Sequence, residues 1–309
     1  MPRAVGVRRE YAEVPAGVRS WVDEALGSPV VWARTQFGGM SPGCAARVRT
    51  RDGATAFVKA VGTGLNAATV ALFRHEIDVL SALPAAPYRP GLLATYDDGD
   101  WVGLLLADIE GRYPDLDDPR DAEAVWGTVL EQSRALTPAP MQGIASLADT
   151  AERHLRTWTS ELASEPGRYL PPWMVGRFDE LHARVGDLPG RLPSQALCHW
   201  DLRDDNLLLR PDGAVVVVDW GMARLGPAWA DAFNLALHWV AAPHFEAVMT
   251  DVTDPPPESL VTDCLVLFGG RWAWQAAQPA PPGLPAFPAL LERVSREVLV
   301  GARRRLTGS

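Results

Sequence analysis

The stretch from His199 to Asp219 constrains this chain most. It reads H-W-D-L-R-D-D-N and then, thirteen steps beyond the Asn, D-W-G. Asp201 and Asn206 stand five apart, a spacing that one loop can turn toward a single point. Leu207–Leu209 and Ala214–Val218 predict two short β-strands. They are joined by Pro211-Asp212-Gly213, a turn with Gly where positive φ costs least. Such a hairpin returns Asp219 to the side of Asn206. Three oxygen-bearing side chains then converge: an acid able to accept a hydroxyl proton, and two groups suited to a hard cation such as Mg²⁺.

H-x-D-x-x-x-x-N followed by D-x-G resembles the catalytic and metal-binding loops of the protein-kinase-like fold. The fuller contexts L-C-H-W-D-L-R-D-D-N-L-L-L and V-V-D-W-G look most like the aminoglycoside phosphotransferase family, which phosphorylates small molecules. The resemblance implies an α+β, two-lobe fold with a small antiparallel-sheet N-lobe over residues 1–107. A larger, mainly helical C-lobe would span 108–309. It also implies Asp201 as catalytic base, Asn206 and Asp219 as Mg²⁺ ligands, and ATP or GTP as co-substrate. Trp200 departs from the family, which usually has Gly or another small residue there.

Lys59 is the only lysine in a chain whose other basic side chains are arginines. Arg is a forked donor, whereas Lys is a compact charge on a flexible stem. A single retained lysine points to a site the fork does not fit. It lies in the apolar strand pattern Ala56-Phe57-Val58-Lys59-Ala60-Val61. In a kinase-like fold this strand aims its lysine at the α- and β-phosphates. Upstream, Gln36–Gly43 is Gly-rich; Gly38, Gly39 and Ser41 would let the backbone approach phosphates and present N–H groups to them. The turn departs from G-x-G-x-x-G. Downstream, Val70, Phe73, Ile77 and Leu80 form a helical apolar stripe, with Glu76 beside it and placed to reach Lys59. Trp101–Ala107 is a buried-type strand ended by Asp108-Ile109-Glu110-Gly111. In the family this is the hinge that holds the nucleobase. Ala107 and Ile109 would offer backbone groups, with Leu106 at the back of the pocket.

From Asp121 onward, helical patterns dominate: Ala122–Ala135, Leu147–Glu161 and Pro172–Val185 before the catalytic segment. After it come Ala228–Ala241, Pro257–Ala277 and Pro285–Leu306, with Gln278–Pro288 as a Pro-rich surface loop. Asp231, after Gly226-Pro227-Ala228-Trp229, matches the family position that braces the catalytic loop; a capping or exposed aspartate is the alternative. Between Gly221 and Asp231 only a short connection fits, and no A-P-E sequence occurs beyond it. A protein kinase carries a longer segment there, so a small acceptor is favoured over a peptide.

A length of 309 residues admits two lobes, and a net charge of −9 argues against nucleic acid, which requires a basic face. Three scattered cysteines without C-x-x-C indicate neither a zinc site nor a disulfide framework. No apolar run is long enough to span a bilayer, and Met1–Glu13 lacks a signal-type apolar core, so a cytoplasmic monomer or homodimer is expected. The acceptor expected is a hydroxyl of a small polar molecule, foremost an antibiotic or related natural product, with choline-like amino-alcohols, nucleosides, amino acids and sugars as the alternatives. Twelve tryptophans, among them Trp239, Trp272 and Trp274, offer stacking surfaces or simply core. Two rivals predict other features. A hydrolase would read Gly39-Met40-Ser41-Pro42-Gly43 as G-x-S-x-G, but Pro42 has no N–H for an oxyanion hole. A non-catalytic binding module would show a damaged set of site residues, and none is missing.

Overall fold

The computed structural model describes residues 6–242, 244–252 and 254–307. The chain forms two compact units, neither continuous in sequence. The first holds the chain up to Thr128, together with Asp201–Ala223 and Pro281–Ala286; the second holds Val129–Trp200, Arg224–Ala280 and the chain from Phe287. The expected division at residues 107/108 follows chain order. The units follow packing, which places the catalytic-motif hairpin with the N-terminal sheet.

The first unit is built on a five-stranded antiparallel sheet: β1 (Val30–Thr35), β2 (Cys44–Thr50), β3 (Thr55–Gly62), β4 (Leu92–Asp97) and β5 (Trp101–Ala107), in the order β1-β2-β3-β5-β4. The central strands β3 and β5 are buried along most of their length, as their near-continuous apolar runs require. Their register sets Lys59 opposite Leu104 on one side and Ala45 of β2 on the other. Helix α1 (Ala16–Leu26) packs Val18 and Val22 into the core against Val48, Val58 and Leu105. Helix α2 (Ala67–Ala82) starts at Asn66, whose side chain accepts from the Thr69 N–H at 2.8 Å, a standard cap. Its buried stripe is Val70, Phe73, Glu76, Val79 and Leu80. Glu76 thus lies within the apolar face rather than beside it, and Ile77 is only half-buried. The reason is the ion pair that Glu76 makes with Lys59 of β3.

Helix α3 (Pro119–Ala135) carries the chain across the boundary at Thr128. The second unit is mainly helical. It contains α4 (Leu147–Thr157), continued by a π-turn over Trp158–Leu162, and the short helices α5 (Pro166–Tyr169) and α6 (Pro172–Val175). Helix α7 (Phe178–Val185) comes next, with the two-stranded ladder of β6 (Ala196–Cys198) and, from the last part of the chain, β9 (Arg224–Gly226). The unit ends with α8 (Ala230–Ala236), α9 (His244–Thr250), α10 (Glu258–Ala276) and α11 (Phe287–Thr307), whose cores include Leu265, Phe268, Val298 and Leu299. Between β6 and β9 the first unit takes back the hairpin of β7 (Leu207–Leu209) and β8 (Val215–Val217), registered Leu207↔Val217. Among the described residues no helix is long and apolar enough to cross a membrane.

Candidate active site

The first unit gathers the expected residues around one cavity of about 240 Å³. Lys59, at the buried middle of β3, donates to Glu76 on α2 and to Asp219 Oδ1 at 2.8 Å. Glu76 is fully buried and also accepts from the Trp220 N–H at 3.2 Å. A carboxylate without water survives there because a cation and a backbone donor replace its hydration. Burial works against the Lys59 ammonium, but the charges of Asp219 and Glu76 outweigh it and hold Lys59 above its ordinary range. Burial pushes Glu76 upward and Lys59 pulls it back.

The hairpin returns Asp219 next to Asn206: Val218 N–H donates to the Asn206 carbonyl at 2.9 Å. Asp219 itself adopts a left-handed conformation, φ 66. The neighbouring Trp220 holds it there, being fully buried with its indole N–H donating to Val217 O at 3.1 Å. Asn206 donates its amide N–H to the Asp201 carbonyl at 2.8 Å and to Asp201 Oδ2 at 2.9 Å. The amide oxygen of Asn206 then remains to pair with the Asp219 carboxylate as an all-oxygen donor set. That is the chemistry a hard divalent cation prefers, so the residues present fit Mg²⁺.

Not every expected residue lines the cavity. Gly38, Gly39, Ser41, Lys59, Leu106, Ala107, Ile109, Asn206 and Asp219 do; Glu76 lies behind Lys59, and Asp201 does not line it. The Ala107 N–H is already committed to Gly91 O at 2.8 Å, leaving its carbonyl as the group it can offer. Asp108 is tied to Arg47 through two bonds of 2.6 and 2.7 Å at the cavity edge. At Gly38 an added Cβ would stand 2.6 Å from the Tyr113 hydroxyl, so a larger residue there would push the Tyr113 ring aside.

Five arginines escaped the sequence reading: Arg203, and Arg8, Arg34, Arg47 and Arg112, which line the cavity. Arg203, inside the motif, sets its Nε 3.4 Å from Asp201 Oδ1 and 3.3 Å from Asp205 Oδ1. Its position two residues past Asp201 was a readable signal. Arg8 lines the cavity from a segment far upstream, and nothing local in the sequence marks it.

In the second unit, Asp231 on α8 is fully buried and accepts from His199 N–H at 2.9 Å, Trp200 N–H at 3.0 Å and Gln132 Nε2 at 3.0 Å. It therefore fastens the two residues that directly precede Asp201, and the capping or exposed alternatives do not apply. Trp200 has φ 59, and its half-buried ring packs on Phe268 at 5.4 Å between centroids. A backbone with positive φ explains why a small residue suits this place.

An antiparallel five-stranded sheet, a helix-borne glutamate paired to a strand lysine, and an Asp–Asn–Asp constellation define a kinase-like phosphotransferase. The model of the phosphotransferase enzyme family matches residues 44–251, and the chain belongs to that family. It is a phosphotransferase with an alcohol group as acceptor, of the small-molecule kinase class. Its fold is similar to that of an aminoglycoside phosphotransferase, APH(4)-Ia, solved as a ternary complex with ADP and hygromycin B. That likeness has 13% identity and a TM-score of 0.61, covering 93% of this chain and 98% of that one. It is equally similar to the choline kinase LicA from Streptococcus pneumoniae, at 14% identity and TM-score 0.61 over 92% and 99%. A third likeness is to a putative fructosamine-3-kinase from Haemophilus somnus, at 12% and 0.53 over 91% and 96%. No curated protein sequence matches the chain.

Proposed function

We propose that this enzyme transfers the γ-phosphoryl group of ATP or GTP to a hydroxyl of a small polar acceptor, an antibiotic or related natural product. The observation that carries the phosphoryl-transfer reading is the meeting of Lys59, Asn206 and Asp219 at one cavity, with Glu76 paired to Lys59 behind it. In this reading Lys59 orients the α- and β-phosphates, and Glu76 keeps it in place. Asn206 and Asp219 would hold Mg²⁺, which when bound neutralises charge on the β- and γ-phosphates. Asp201 accepts the proton of the acceptor hydroxyl. The hydroxyl oxygen forms a bond to the γ-phosphorus as the bond to the β–γ bridging oxygen breaks, and the nucleoside diphosphate leaves. Leu106, Ala107 and Ile109, which line the cavity, would hold the nucleobase in this reading.

The small acceptor rests on the connection between Gly221 and Asp231, which holds only a 3₁₀ turn and the three-residue strand β9 before α8. The acidic balance of the chain biases it toward cationic acceptors. The three cysteines are buried and free, in keeping with a reducing, cytoplasmic setting. Incubation with Mg²⁺, ATP or GTP and a panel of aminoglycosides, peptide and nucleoside antibiotics, choline, sugars and amino acids tests the reading, with mass detection of a phosphate adduct. An adduct on choline, a sugar or an amino acid alone replaces the antibiotic assignment with a metabolite kinase. Phosphate on a protein and on no small molecule refutes the small acceptor.

A further inference from the structure

Arg8 reaches the candidate phosphate end of the cavity from outside the motifs. The segment Gly6–Arg9 runs beside the Gly-rich turn, joined to it by an isolated parallel bridge between Arg8 and Gly43. Gly6 N–H donates to Gly39 O at 3.3 Å, Gly43 N–H to Val7 O at 3.1 Å, and Arg9 N–H to Gly43 O at 3.1 Å. The fit is close, since a Cβ on Gly6 would lie 2.1 Å from Met40 O. On its other side Val7 N–H donates to Gly283 O at 3.0 Å, within the returning Pro281–Ala286 segment. This strap aims the Arg8 side chain under the turn. Its Nη1 donates to Ser41 O, and its Nη2 donates to Gly38 O and to Gly39 O, the last at 3.2 Å.

Three carbonyl oxygens at the mouth of a phosphate site repel phosphate unless a cation offsets them. The guanidinium does so and has donors left over: it carries five N–H bonds, and its Nε is buried without a partner. Arg8 shares the cavity with Lys59, Asp205, Asn206 and Asp219.

We infer that Arg8 joins Lys59 as a cation of the phosphate site, binding the β- and γ-phosphates of the nucleotide while it locks the Gly-rich turn over them. This rests on the proposal that the cavity binds a nucleotide. The test is calorimetric titration of the wild type, Arg8→Gln and Arg8→Lys with Mg-ATP and with AMP, which lacks those phosphates. In Arg8→Gln, ATP affinity should fall about tenfold or more, the loss of one charge-assisted contact, with AMP affinity held within about twofold. Arg8→Lys, which keeps the charge but cannot grip three carbonyls, should stay within about threefold of wild type for ATP. Equal losses for ATP and AMP, or a lysine variant as weak as the glutamine one, would make Arg8 a structural tie only and overturn the inference. Unchanged ATP affinity in Arg8→Gln overturns it too. If Arg8→Gln does not fold, Arg8→Lys alone decides, a loss of about tenfold standing against it. A wild type that binds neither ATP nor GTP refutes the nucleotide reading itself, a result distinct from all of these.

Discussion

Replacing Lys59 by Met separates what the lysine does for the fold from what it does for chemistry. Lys59 has two carboxylate partners in unlike surroundings. Glu76 is fully buried, whereas the Asp219 side chain is 27% exposed and keeps access to water. Met fills the aliphatic volume but removes the charge, so the cost concentrates on Glu76, left with the Trp220 N–H alone at 3.2 Å. Stripping a buried ion of its partner costs about 3–5 kcal/mol. The variant can limit that cost by protonating Glu76, whose carboxyl burial already pushes upward. With the folded-state value raised above the unfolded one, stability is fully present below the unfolded carboxylate range. It is lost as pH rises through the folded value. Urea denaturation should therefore find Lys59→Met about 3–5 kcal/mol less stable than wild type at pH 7.5, with the gap narrowing at pH 5. Adding Glu76→Gln should restore most of that stability and none of the phosphoryl transfer. A Lys59→Met protein as stable as wild type at pH 7.5, or a double variant that regains activity, refutes the reasoning.

Asp201→Asn keeps the shape of the side chain and its place beside Asn206, but cannot take the acceptor proton. Turnover should drop about 10²–10⁴-fold with ATP affinity nearly intact, and near-normal turnover would remove Asp201 from the role. Asp219→Asn should weaken Mg²⁺-dependent nucleotide binding and abolish transfer; identical ATP binding with EDTA and with Mg²⁺ would contradict the ligand assignment. Trp200→Gly relieves a left-handed backbone worth about 1 kcal/mol but gives up ring packing on Phe268 worth about 1.5–3 kcal/mol. Thermal melting should show a net loss, and a variant as stable as wild type would mean the ring's packing only matches the backbone strain it imposes. His154 on α4 has its pKa held down to about 3, first by burial and then by Arg271 and Arg153. The unfolded chain takes up a proton near the ordinary histidine value while the folded one does not. Its contribution is thus present above that value and lost as pH falls, by about 2 kcal/mol at pH 5. His154→Gln should lose that share of the acid slope in denaturation curves, and an unaltered slope would show that the imidazole is not protected.

What was legible in the sequence was local. The β7–β8 hairpin announces itself through a Pro-Asp-Gly turn between two apolar runs, and the observed strands differ from the expected ones by a residue at each end of β8. Trp101–Ala107 is found as expected, because seven consecutive residues suited to a central strand have few alternatives. The helices of the second unit were legible as helical stretches but not in their breaks. The stretch read as Pro172–Val185 is divided into α6 and α7 around Gly176 and Arg177, and the extension of α4 passes into a π-turn at Trp158. Trp158 is fully buried, and its indole N–H donates to Leu267 O at 3.1 Å on α10, a partner more than a hundred residues away. A break set by distant packing leaves no mark in the local periodicity.

The same distinction runs through the site. Glu76 sits in the apolar face of α2, where hydrophobic periodicity alone argues against a charge, and it becomes intelligible only with Lys59 placed across from it. That inference was open because one lysine stands among arginines and because the two elements come in a known order. Arg8 had no such help. Its carbonyl partners Gly38, Gly39 and Ser41 lie thirty or more residues on, and main-chain oxygens carry no sequence signature at all. Trp200 is a third case: its side chain was visible as a departure from the family, but the cause, a left-handed φ fixed by Asp231 gripping the N–H groups of His199 and Trp200, belongs to the backbone. Side-chain pairs of opposite charge can thus be read from sequence when their elements are recognised. Contacts that end on the main chain become readable only in the folded structure, and here they hold both the Gly-rich turn and the approach to Asp201.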